Sequence, residues 1–389
     1  MGTKQDSISI FVFIDALGWR LFERHGLADD LFNTHAPLET IFGYSCTCDP
    51  TILTGCLPRD HKHFSFFVHN PDRSPFRWMS PLGFAPSMVA DRMRVRSRIS
   101  AITARALGYT GYFNLYQVPF SRLPFLDYTE KNDLYQAGGI NGGQPTIFDH
   151  LRRERIPFHL SDWRGSERRN LEALGKALDR GEPRFAYLYL AELDAILHRE
   201  GTSGPRVAPK IGAYAENLRA LVHRAERRYR EVRLFVFSDH GMADVTEEVD
   251  LLPRIERLGL RYGRDYGAVY DSTMARFWFF SERARRQITA LLKNEPRGKI
   301  LCDDDLRRYG ANFSDRRYGE LFFLLRSGAL MVPSYMGLKR IAGMHGYAPE
   351  HPDSAAFFAS NVPLTSMPRR LDDLFGLMAA EAGIAGTIS

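Results

Sequence analysis

The apolar run Leu234-Phe235-Val236-Phe237 stops abruptly at Ser238-Asp239-His240-Gly241. A short unbroken apolar stretch bounded by polar and glycine residues reads as a strand covered on both faces. The same pattern recurs twice. Ile8-Ser9-Ile10-Phe11-Val12-Phe13-Ile14 runs into Asp15, and Tyr187-Leu188-Tyr189-Leu190 leads through Ala191-Glu192-Leu193 into Asp194. Strands are expected near 9–14, Phe158–Leu160, Phe185–Leu190, 234–237 and 275–280, with helical patterns between several of them. Strands alternating with helices predict an α/β fold with a mostly parallel central sheet and helices on both faces. Ile211, Tyr214, Leu218, Leu221, Val222, Ala225 and Tyr229 form the apolar stripe of one long helix, and the basic run 223–233 is read as its solvated face. A closing helix is expected over 371–382.

Two stretches break this rhythm. Residues 63–144 are rich in Phe, Tyr, Pro, Gly and Arg. A long irregular insertion in a compact domain is usually functional, and this one is expected to cap the site and shape its pocket. Residues 281–330 read as a second insertion, whose Arg307, Arg308, Arg316 and Arg317 fit either an anionic substrate or a solvated surface. The whole of 1–389 is expected to form one catalytic domain.

The strand ends carry the candidate chemistry. Asp15, Asp194 and Asp239 each follow an apolar strand, where open α/β sheets bind their ligands. His240 adjoins Asp239. His198 lies four residues after Asp194, one helical turn away on the same face. His345 sits between glycines in Gly343-Met344-His345-Gly346, where backbone and ion approach closely. Singly, each residue reads as a cap, a turn residue or a solvated His. Gathered at one sheet edge, they read as the ligands of a two-metal site.

Between the first two carboxylates lies Tyr44-Ser45-Cys46-Thr47-Cys48-Asp49-Pro50-Thr51-Ile52-Leu53-Thr54-Gly55, in which small hydroxyl residues precede an expected helix. A hydroxyl at a helix N-terminus suits a phosphate, and a metal makes its alkoxide available at neutral pH. With these residues in place, the chain resembles the alkaline phosphatase superfamily, in particular its type I phosphodiesterase/nucleotide pyrophosphatase branch. That resemblance covers about 7–347. It implies Ser45, nine residues before Thr54 of the Thr-Gly pair, as nucleophile. It also implies one metal on Asp15, Ser45, Asp239 and His240 and another on Asp194, His198 and His345. Two features depart from the branch. Thr47 stands where Pro is frequent, leaving Thr47 as an alternative nucleophile, and Pro58-Arg59-Asp60-His61-Lys62 has Lys62 where Gly is frequent.

The activity implied is metal-dependent hydrolysis of a small anionic phosphoester, a diester or pyrophosphate, through a phosphoseryl intermediate. The His/Asp donor mix points to two zinc ions, with manganese as the other candidate. The alternatives are phospho-group transfer to a sugar or lipid hydroxyl, or a phosphomonoesterase. Asn70 and the arginines of the first insertion are candidates for substrate contact. A sulfatase is disfavoured, because Ser45-Cys46-Thr47-Cys48-Asp49 lacks the Pro and Arg of that motif.

Composition adds little. Hydrophobic residues at 44% suffice for a sizeable core, and net charge +6 mildly favours anionic substrates. No nucleic-acid-binding motif accompanies the basic residues, Arg92, Arg94, Arg96 and Arg98 included. No 18-residue apolar stretch is present, so no membrane span is expected. No apolar signal region precedes the first strand, so a cytoplasmic location is expected. Cys46, Cys48, Cys56 and Cys302 are expected to be buried free thiols. The sequence specifies no oligomeric state.

Overall fold

The computed structural model describes residues 4–84 and 92–384. Its centre is a six-stranded sheet. The strands are β1 (Gln5–Ile14), β2 (Thr34–Leu38), β3 (Phe158–Leu160), β4 (Phe185–Leu190), β5 (Tyr229–Phe237) and β10 (Ala356–Ser360). They lie in the order β2-β10-β5-β1-β4-β3, and all run parallel except β10. Alternation along β1 shows why this sheet is covered twice. Ile8, Ile10, Val12 and Ile14 pack with Leu174 and Leu178 of α3 (Glu167–Arg180), Leu193 and Leu197 of α4 (Glu192–Glu200), and Ile211 and Leu218 of α5 (Val207–Glu226). Phe11 and Phe13 face the other way, into Ile52 and Leu53 of α1 (Ser45–Thr54) and Leu374 and Met378 of α6 (Asp373–Glu381). Each such fully buried side chain contributes about 1.5–3 kcal/mol of transfer free energy.

A second, antiparallel sheet of four strands has the order β6-β7-β9-β8, with β6 Tyr266–Tyr270, β7 Met274–Phe279, β8 Gly298–Leu301 and β9 Leu321–Leu325. It has its own apolar core, shared with Phe67, Phe76, Leu115, Val118 and Leu126 from the 63–144 stretch. That stretch includes α2 (Met93–Leu107). The 281–330 stretch supplies β8 and β9 to this sheet. A buried ion pair at the foot of β7 ties the second sheet to the 63–144 stretch. Arg276, 0% exposed, binds Asp271 at 3.1 Å, the Ser65 hydroxyl at 2.7 Å and the carbonyls of Phe67 and Tyr318 at 2.9 Å.

Three sequence expectations change here. The 275–280 run belongs to the second sheet, because its β7 residues are buried on both faces and such a run carries no period that assigns it to a layer. The helix stripe ends at Ala225: α5 stops at Glu226 and Tyr229 opens β5, whose pleat buries it while Arg230 points out. Cys46 and Cys48 are buried, but Cys56 is half-buried and Cys302 is exposed, its sulfur accepting the Asp305 N–H at a helix start. Within α2, Arg96 is buried over Phe120 at 4.2 Å, while Arg92, Arg94 and Arg98 are solvated. No helix among the described residues is long and apolar enough to cross a membrane.

Candidate active site

Three adjacent strands, β5-β1-β4, point their carboxyl ends at one place. Asp15 follows β1 directly and donates its N–H to Leu190 at the end of β4. Asp239 and His240 follow β5, and Asp194 lies in the first turn of α4 behind β4. The turns after β1 and β5 are pressed together. A Cβ on Gly18 would lie 2.4 Å from Gly241 Cα, and one on Gly241 would lie 2.2 Å from the Asp353 carbonyl. Only glycine permits that approach. Beside Asp15, Ala16 takes φ +62°, a strained value for a residue with a side chain. Its N–H is thereby delivered to Asp239 Oδ1 at 3.1 Å.

Two groups of three side chains result. Asp15, Asp239 and His240 form one, and Asp194, His198 and His345 the other, each with one donor atom per residue within 4.8 Å of the rest. His240 Nε2 lies 3.0 Å from Asp239 Oδ2 and 3.9 Å from Asp15 Oδ1. His198 Nε2 lies 3.3 Å from Asp194 Oδ1, and His345 Nε2 lies 3.8 Å from the same oxygen. The His240 and His345 rings stack at 3.7 Å, so the groups share a wall. Behind them, His240 Nδ1 meets the Gly241 carbonyl at 3.0 Å and His198 Nδ1 meets the Gly343 carbonyl at 2.8 Å. With the proton on Nδ1, both rings turn a bare Nε2 toward the carboxylates, the arrangement of a metal-ligating imidazole.

Ser45 opens α1, and its Oγ lies 3.1 Å from His240 Nε2. The hydroxyl thus stands at the positive end of a helix and against the first group. Thr47 does not reach the site. It is fully buried, its hydroxyl donates to the Phe64 carbonyl at 2.8 Å, and it takes no part in the cavity wall. His61 is equally structural, with Nε2 on Thr51 Oγ1 at 3.0 Å. Lys62 takes φ +63°, the conformation glycine suits best at that position.

The electrostatics are those of acids lacking a counter-charge. Burial, then the charges of Asp239 and Asp194, hold the Asp15 carboxyl well above the usual carboxylate range. Burial also raises Asp194, and with His240 and His198 nearby it pushes His345 well below the usual imidazole range. For His240 burial opposes the charged form, but the adjacent Asp239 outweighs it and the pKa is raised. Asp15 Oδ1, Asp194 Oδ1 and Asp239 Oδ2 are buried without a hydrogen-bond partner. Unpaired carboxylate oxygens facing bare imidazole nitrogens are the donor set a divalent cation satisfies, so these residues fit a divalent metal ion.

The site opens into a cavity of about 510 Å³. Ser45, Asp15, Asp194, His198 and His345 line it, together with Tyr, Trp and Met side chains and the acids Asp49 and Glu130. Asn70 is not in that wall; it sits half-buried in the turn after the strand Phe67–His69. Nor do Arg307, Arg308, Arg316 or Arg317 reach it; Arg307, Arg308 and Arg317 pair with Asp304, Asp305 and Asp315 at the surface. Sequence reasoning missed Asp49 and Glu130. The one available signal was Asp49's place four residues after Ser45, on the same helix face.

A mostly parallel sheet with carboxylates at three neighbouring strand ends and histidines beside two of them, facing a helix-terminal hydroxyl, defines an alkaline phosphatase-like α/β fold. The sequence model of "Type I phosphodiesterase / nucleotide pyrophosphatase" matches residues 9–348. The chain belongs to this family of metal-dependent hydrolytic enzymes. Among solved structures it is similar to murine ectonucleotide pyrophosphatase/phosphodiesterase 5, with TM-score 0.68 and 15% identity over 99% of this chain and 96% of that one. The human protein of the same name gives TM-score 0.66 and 14% identity, over 99% and 96% of the two chains. An inactive variant of the murine protein in complex with AMP gives 0.68 and 14%, over 98% and 96%. No curated protein matches the sequence significantly.

Proposed function

We propose that this chain is a phosphodiesterase that works through a phosphoserine on Ser45 and uses two zinc ions. One ion would be held by Asp15, Asp239, His240 and Ser45, the other by Asp194, His198 and His345. The observation that carries this reading is the Ser45 hydroxyl, 3.1 Å from His240 Nε2 at a helix N-terminus, beside two groups of partnerless carboxylates. Bound divalent ions supply a lowered pKa for hydroxyl and water and neutralise phosphoryl oxygens.

Ser45 Oγ attacks phosphorus, its bond to phosphorus forms, and the alcohol opposite leaves with a proton. Water then displaces Ser45 in line from the vacated side and releases a phosphomonoester. The α1 N-terminus orients the phosphate through its free N–H groups. The residues 63–144 and 281–330 act as the cap over this cavity. A diester is favoured over a monoester because Lys339, at the exposed rim, is the one Lys or Arg among the described residues that line the cavity. A monoesterase needs more cationic contacts for the extra phosphate oxygens. An AMP-bound neighbour makes nucleotide esters one class to assay.

The test is a screen of nitrophenyl mono- and diesters with zinc, manganese and chelator, on wild type and Ser45→Ala. Diester turnover that chelator abolishes is expected, with Ser45→Ala losing at least about 10³-fold in kcat and keeping its metal content. Acid quenching of wild type should yield a phosphoserine peptide at Ser45. Substantial activity in Ser45→Ala would overturn the nucleophile assignment.

A further inference from the structure

Asp194 and His198, two of the three side chains in the second group, ride on α4, a helix of nine residues. A helix that short is marginal by itself, so its position comes from what holds its two ends. The carboxyl end is fastened to the loop that carries the third side chain, His345. The Ala342 N–H donates to the His198 carbonyl at 2.9 Å, and His198 Nδ1 meets the Gly343 carbonyl at 2.8 Å. The amino end has no cap of its own. Ala191 precedes the helix and offers no side-chain acceptor to the free N–H groups of the first turn.

Glu167 supplies that acceptor from another helix. It opens α3 and is 6% exposed, and its Oε1 accepts the Glu192 N–H at 2.7 Å and the Tyr214 hydroxyl at 2.7 Å. Its Oε2 binds Lys210 Nζ at 2.5 Å. Tyr214 and Lys210 both belong to α5, so one buried carboxylate joins three helices at the first residue of α4. A carboxylate is costly to bury, and here Lys210 and two hydrogen-bond donors offset that cost. Glu167 does not line the cavity. Its influence on the site runs through the Glu192 N–H, two residues before Asp194. With the carboxyl end of α4 fastened at Gly343, a loosened amino end swings the helix about that point. Asp194 then moves most and His198 least.

Building on the proposed two-ion site, we infer that Glu167 is a positioning residue. By capping α4 from outside, it holds Asp194 at the distance from His198 and His345 that one divalent ion spans. The acceptor oxygen matters for this role, and the charge on Lys210 serves only to keep the carboxylate buried.

The test withdraws zinc from the loaded protein with a competing chromophoric chelator. The ion that His198→Ala fails to hold is the one assigned to the second group. Glu167→Ala should weaken that ion about tenfold and leave the other unchanged. Glu167→Gln, which keeps an acceptor oxygen, should hold both ions nearly as wild type does. Added to His198→Ala, the Glu167→Ala change should not alter the affinity of the remaining ion. Equal weakening of both ions in Glu167→Ala, or of neither, would overturn the positioning role, because general loosening of the fold does not choose between them. Equal losses in the Gln and Ala variants would assign the effect to the Lys210 ion pair and overturn it as well. A second readout needs no metal: hydrogen exchange in the zinc-free protein. Protection of the Glu192 amide should fall at least about tenfold in Glu167→Ala and persist in Glu167→Gln, with β1 and β5 unchanged. Unaltered protection in Glu167→Ala would show that α4 is held by other contacts. If His198→Ala bound as much zinc as wild type, the two-ion reading would fail, while the exchange measurement still decided whether Glu167 fixes α4.

Discussion

At the scale of single residues, the site is a set of polar atoms left unsatisfied by the chain itself. Asp15 Oδ1, Asp194 Oδ1 and Asp239 Oδ2 are buried with no donor. A ligand that binds only the folded state stabilises it by mass action, about 2.7 kcal/mol at a hundred times its dissociation constant. Chelation of the zinc-loaded protein should therefore lower the Tm by several degrees, read by calorimetry, and added zinc should restore it. A Tm indifferent to zinc and chelator would contradict metal binding by these groups. Away from the site, His63 accepts the Asn141 N–H on Nε2 at 2.9 Å, and burial lowers its pKa to about 3. The unfolded chain binds the proton near the ordinary value of 6.5, before the folded chain does. Stability from this histidine is thus fully present above pH 6.5 and is lost as pH falls toward 3. His63→Gln, which keeps an acceptor without a titrating group, should flatten that part of the Tm–pH profile. An identical profile would show that acid destabilisation comes from other groups.

At the scale of elements, two turns and one helix start assemble the site. The loops after β1 and β5 cross at Gly18 and Gly241 with no room for a Cβ. Gly241→Ala places a methyl 2.2 Å from the Asp353 carbonyl, so backbone must move beside Asp239 and His240. The expected cost is about 2–4 kcal/mol in chemical denaturation, with weaker zinc binding measured by a competing chromophoric chelator. Native stability and affinity would show instead that the loops relax freely. The register of β1, β4 and β5 was legible as apolar runs ending in Asp15, Asp194 and Asp239. The crossing was not, because Gly18 and Gly241 each look like an ordinary turn residue until the other loop is placed against it. Thr47 misled for a related reason: in sequence it is as good a hydroxyl as Ser45, but the helix turns it inward onto Phe64.

At the scale of the whole molecule, two layers with separate cores meet at the cavity. Within the second layer, Arg276 and Asp271 hold the β6–β7 hairpin against Ser65 and Phe67 of the 63–144 stretch, with side chains 0% and 1% exposed. Removing one partner of a buried pair leaves an uncompensated charge, at about 3–5 kcal/mol. Arg276→Met should destabilise by that amount in chemical denaturation and disturb the cavity wall, where Asp271 and Ser65 lie. A loss below about 1 kcal/mol would show that the junction tolerates the bare acid. Apolar content and periodicity indicated the parallel sheet and its helices, yet they assigned 275–280 to the wrong layer and carried Tyr229 into a helix. A run buried on both faces looks the same in either sheet, and the end of α5 has no glycine or proline to mark it.

What the sequence determined by itself was the chemistry available: which residues at strand ends carry ligand-type groups, and which hydroxyl opens a helix. Those are local facts, fixed by alternation, side-chain type and spacing within a turn. Tertiary structure alone decided which groups share a volume. It brought His345 against His240, kept Asn70 outside, and set Asp49 and Glu130 in the wall beside Ser45. Contacts between residues far apart in the chain depend on how the layers pack, and no local pattern encodes that packing.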